Sequence, residues 1–184
     1  MMASSKNVVE LVAVSHANAQ AAQDTIGEIL RTAGGADVTG DQAEALRAAT
    51  VALELEAIDI YTAFEARMQH HFKRGPFSRK LQALLIESGK ADLADRIYQY
   101  YLAVNVLKHG KGDSYRALVK DPSPLVVLRP APDAALSEVE TEAEAEAKTE
   151  GADRAAGLVD VTDPGFFAGL TDAILQAAAF LKKR

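Results

Sequence analysis

The chain of 184 residues has no cysteine and no tryptophan. Without cysteine there can be no disulfide staple, no thiolate nucleophile and no thiolate-based metal site. The same absence fits a reducing compartment, so a cytoplasmic setting is expected. Aromatic residues are sparse at 6%, too few to separate a ligand pocket from plain core. Long apolar runs are also lacking. The stretch from Met1 to Val14 is short and broken by Lys6 and Glu10, unlike a secretory signal, and no segment is expected to span a bilayer.

Apolar residues nevertheless make up 48% of the chain, enough at this length for one domain with a substantial core. The net charge of −6 is unevenly spread. Residues 1–132 hold 15 Lys/Arg and 15 Asp/Glu, whereas residues 133–184 hold 5 and 11. The body is therefore neutral and lacks the overall basicity of a dedicated nucleic-acid binder.

Hydrophobic periodicity predicts a mainly α fold, a five-helix bundle-like single domain over residues 1–184 with a small two-stranded antiparallel β ribbon. A first helix over 6–33 carries Val8, Val12, Ala19, Ala22 and Ile26 on one face and stops at Gly34-Gly35. Thr39 and Gln42 have capping-box spacing ahead of a helix over 41–74, which Gly75-Pro76 ends. Ser78 is placed to cap a third helix through Glu87, and a fourth spans 91–109. A last helix follows Asp163 with Pro164 in its first turn, where the missing N–H does no harm.

Leu125–Leu128 and Leu158–Val161 are rich in β-formers and predict the two short strands of the ribbon. Between them, residues 133–157 alternate Glu with small residues and offer almost nothing to bury, which predicts a mobile acidic insertion.

Several chemistries are missing their parts. Glu65 is followed three residues later by Met68, so the Glu-x-x-His pair of a di-iron bundle is not formed there. His70 and His71 are adjacent and cannot form an i,i+4 zinc pair. Gly89-Lys90 leads into Ala91 and lacks the hydroxyl of a phosphate loop. No metal ion and no cofactor is expected.

The informative segment runs from Tyr98 to Tyr115. Asn105 and His109, four residues apart, share a helix face at the edge of the core. With Lys108 and Lys111 beside them and Ser114 and Tyr115 in the turn beyond, they form a set able to hold phosphate. His109 is the candidate acid or base. The bland alternative is that His109 complements the helix dipole while Asn105 braces the following loop. A second basic cluster around Arg74 and Arg79 offers more phosphate donors, or else simply complements the C-terminal dipole of the long helix.

The Asn-x-x-Lys-His-Gly segment late in a helical bundle, followed by a Ser-Tyr turn and a final helix, resembles the HEPN superfamily. The resemblance implies a homodimer with two copies of the motif across a shared cleft. Many members are metal-independent endoribonucleases of toxin–antitoxin and phage-defence systems, while others bind RNA or nucleotides without cleaving. Active members carry an Arg-x(4-6)-His motif, often with a polar residue directly after the Arg. His109 matches the His and Asn105 the polar residue. At the Arg spacing stand Leu102, Ala103 and Val104, so the motif is degenerate. Two functions are thus expected as alternatives: binding or cleavage of RNA or nucleotide phosphate, and a non-catalytic homodimeric interaction module. A small-molecule site beside Tyr98, Tyr100 and Tyr101 is a third.

Overall fold

Helix formation follows the apolar periodicity closely, and the ends are set by identifiable caps. The computed structural model describes residues 7–129 and 157–183. Helix α1 spans Val8–Ala33 and opens on a reciprocal capping box between Asn7 and Glu10. It closes at Gly34, whose φ of 57° suits a residue without Cβ and lets its N–H reach Leu30 O. Helix α2 spans Gly40–Met68 and begins with the Thr39–Gln42 box that the sequence predicts.

Two boundaries differ from expectation. Helix α2 stops at Met68 and tightens into a 3-10 turn, Gln69–His71, which uses shorter-range bonds such as Phe72 N–H to Gln69 O before Pro76 blocks the chain. Helix α3, Phe77–Glu87, is entered through Pro76, and Ser78 does not cap it. The Ser78 hydroxyl instead donates to Glu65 Oε1 at 3.4 Å, tying α3 to α2.

Helix α4 spans Ala91–His109 and helix α6 spans Pro164–Lys182, the latter capped by Asp163 accepting from Gly165 N–H at 2.8 Å. Between them lies α5, Asp113–Lys120, which raises the number of α-helices among the described residues to six. The pattern missed it because it is two turns long and buries only Leu118 fully.

Helices α1 and α2 form an antiparallel hairpin in which Asn18 donates to Glu56 at 3.2 Å. Helix α6 packs on α1, α2 and α4 and supplies the centre of the core. Leu53, Ala57 and Phe64 of α2, Ala94 and Tyr100 of α4, and Leu170, Ile174 and Ala177 of α6 are fully buried. Cutting one of the large side chains back to Ala removes about 2–5 kcal/mol, and the alanines between them let the helices approach. Contrary to the expectation from sequence, α6 is long and apolar enough to cross a membrane, with mean hydropathy 1.3. Here those apolar side chains face the other helices of the bundle.

The expected ribbon is not formed among the described residues. Segments 125–128 and 158–161 meet at one isolated antiparallel bridge, Leu128 with Val159. Arg129 N–H reaches Leu158 O at 2.9 Å and Asp160 N–H reaches Val127 O at 2.8 Å. The ladder ends there because Val161 N–H turns back to Val159 O. Arg129 then pairs with Asp160 at 2.6 Å and donates to Thr162 at 3.0 Å, closing the corner into α6. Burial alone would raise the Asp160 pKa, but hydrogen bonds from Thr162 and the Arg129 guanidinium outweigh it and hold the carboxyl below its ordinary value. The predicted acidic insertion, apart from Gly157, lies outside the described residues.

Candidate functional site

The last two turns of α4 carry the site. Tyr101, Asn105 and His109 follow at steps of four residues and so line one face of the helix. Directly after His109 the chain must reverse to start α5. Gly110 makes this possible with φ 71° and ψ −142°, a conformation open in practice to glycine. The loop through Gly112 and the first turn of α5, with Asp113 and Ser114, then come back beside the α4 face. Together these residues enclose an open cleft of about 310 Å³ lined by Tyr101, Asn105, His109, Gly110, Gly112, Asp113 and Ser114.

Within that cleft the polar groups are available. His109 is exposed and Asn105 half-buried, and no described residue hydrogen-bonds either side chain. Helix α5 has Gly112 at its N-cap and no side-chain cap, so its first backbone N–H groups lack a capping partner. An anion placed there would meet those dipoles and the Ser114 hydroxyl. Asp113 also faces the cleft, and its carboxylate is drawn off by an ion pair with Arg116.

The other residues singled out by sequence are distributed differently. Lys108 does not enter the cleft. Its Nζ donates to Thr62 Oγ1 at 3.0 Å and lies near Glu65, fastening the end of α4 to α2. Burial raises the Glu65 pKa, and Lys108 and the Ser78 hydrogen bond partly oppose that rise. Lys111 is exposed on the loop between the two glycines of the rim. Tyr115 packs half-buried against the core and does not line the cleft.

Arg74 and Arg79 are exposed around the turn between α2 and α3, and neither reaches the cleft. That turn is anchored by edge-to-face packing of Phe72 and Phe77, centroids 5.5 Å apart. The rings of His70 and His71 lie tilted against each other with centroids 4.2 Å apart, and His70 Nδ1 bonds to Arg67 O at 2.8 Å. Partial burial and the neighbouring His70 lower the His71 pKa. The two basic clusters therefore do not line one cleft.

Sequence reasoning placed Tyr101 beside a separate small-molecule site and did not join it to Asn105 and His109. Its ring lines the cleft while stacking on Tyr98 at 6.3 Å and tilting against Tyr61 at 6.4 Å. The four-residue register through Asn105 and His109 was the signal available to find it.

No protein family, curated protein or solved structure matches this chain.

Proposed function

We propose that the chain is a HEPN-like helical protein that binds RNA or nucleotide phosphate in the α4–α5 cleft. The observation that carries this reading is that Asn105 and His109 line an open cleft with no intramolecular hydrogen-bond partner among the described residues. Polar side chains that merely braced a loop would be bonded to it, and these are not. Phosphate oxygens would accept from the Ser114 hydroxyl and protonated His109, with Lys111 supplying charge at the rim.

Binding is favoured over cleavage. Leu102, Ala103 and Val104 are buried and apolar, no Arg among the described residues lines the cleft, and Lys108 is committed to Thr62. A ribonuclease reading keeps His109 as general acid or base, with Asn105 orienting the substrate. By the same resemblance the working unit is a homodimer.

The test is RNA binding and RNA cleavage by the purified chain in chelator, with His109→Ala beside wild type. Binding lost in the folded variant supports the phosphate site, and cleavage lost with it assigns catalysis to His109. Wild type that neither binds nor cleaves RNA or nucleotides, yet elutes as a homodimer, would falsify this reading in favour of an interaction module.

A further inference from the structure

The cleft presents three different chemistries in a fixed order along α4. Tyr101 supplies an aromatic ring, Asn105 an amide one turn on, and His109 an imidazole one turn beyond, with the Ser114 hydroxyl at the same end. Successive members are about 6 Å apart at the helical rise per residue. A bare phosphate would use only the His109 end. A nucleotide uses all three, because its base, base edge or sugar, and phosphate are laid out in that sequence.

We infer that the ligand of this cleft is one unpaired nucleotide of a single strand, with its base against Tyr101, its edge read by Asn105 and its phosphate at His109 and Ser114. The inference rests on the phosphate-site reading above and goes beyond it by naming the strand state and the base. The Tyr101 ring is suited to the part because Tyr98 and Tyr61 fix its tilt, so little side-chain freedom remains to be lost on contact. An unpaired base is required because a paired one keeps its faces stacked within the helix. At about 310 Å³ the cleft suits one nucleotide rather than a duplex groove.

Base choice follows from the amide. Asn105 offers both a donor and an acceptor, the combination that matches the N6 and N7 positions of adenine. With no described residue occupying that amide, the pairing costs no internal bond.

Anisotropy titrations would use short labelled oligo(rA), oligo(rU), an RNA duplex and an abasic ribose-phosphate strand. Oligo(rA) is expected to bind most tightly. Tyr101→Leu is expected to weaken it roughly tenfold or more, the range seen for loss of one stacked base, while Tyr101→Phe binds as wild type. Asn105→Ala is expected to erase the preference for oligo(rA) over oligo(rU). If the abasic strand or the duplex binds as well as oligo(rA), or a folded Tyr101→Leu keeps wild-type affinity, the inference is overturned. The phosphate site itself would still stand as long as His109→Ala abolishes binding. Absence of binding to all four probes overturns both.

Discussion

The hydroxyl of Tyr100 fills the space left open by the missing side chain of Gly169. A Cβ at Gly169 would lie far inside van der Waals contact of that oxygen, and 3.2 Å from the ring carbon that bears it. The hydroxyl is buried and has no hydrogen-bond partner among the described residues. Gly169→Ala should therefore destabilise the fold by about 1–3 kcal/mol through overpacking between α4 and α6. Tyr100→Phe should be neutral or stabilising, because it removes an unsatisfied buried polar group. In the Tyr100→Phe background the Gly169→Ala penalty should shrink, and a double-mutant cycle by urea unfolding reads that coupling. Additive effects would show that the two residues do not compete for the same space.

The Arg129–Asp160 corner predicts an acid-sensitive contribution to stability. The folded pKa of Asp160 lies below its unfolded value, so its contribution is present above the unfolded pKa and disappears as pH falls through the folded one. Asp160→Asn should cost about 1 kcal/mol at neutral pH, chiefly from the weakened bonds to Thr162 and Arg129, and nothing below the folded pKa. Unfolding curves for both proteins across the acid range measure the convergence. Both partners are partly exposed, so moderate salt should screen the pair and shrink the difference.

Glu65 carries the opposite sign. Burial lifts its folded pKa, so its contribution is fully present below the unfolded pKa and is lost as pH rises through the folded one. Glu65→Gln should accordingly match or exceed wild-type stability at pH 7, with the advantage vanishing in acid. Lys108→Met should do the reverse at pH 7, since it takes away the cation that eases the Glu65 charge. Thermal melts of the two variants at neutral and acid pH decide it.

His109→Ala should leave the stability within about 0.5 kcal/mol of wild type, as expected for an exposed side chain with no partner among the described residues. The same substitution should abolish RNA or nucleotide binding. Separate measurements by denaturant unfolding and by titration test the two halves. A large stability loss would mean that His109 braces the α4–α5 turn after all.

What the sequence disclosed was governed by distance along the chain. The Thr39–Gln42 box, the Gly34 stop and Pro164 at the head of α6 are local, and each was legible from neighbouring residues. The Asn105–His109 face was legible for the same reason. Ser78 and Lys108 were misplaced because their partners, Glu65 and Thr62, lie 13 and 46 residues away. The ribbon was overestimated since β-forming composition around Val127 and Val159 carries no information about how many rungs will pair. Helix α5 escaped because two turns give too few apolar repeats for periodicity to register. Asp113 near its start, Lys120 at its end and Pro122 beyond were the signals present.

Helix α6 brings a question of timing. It packs against α1, α2 and α4, yet it is the last of the six to leave the ribosome. Until it arrives, the faces that will receive Leu170, Ile174 and Ala177 have nothing to cover them, and the earlier helices wait with apolar surface open to water and to other nascent chains. The same helix is apolar enough to be drawn toward a lipid surface while it waits. Capture by its own bundle competes with both diversions, and the α4–α6 seam at Tyr100 and Gly169 is a point where a packing error should be felt as lost yield.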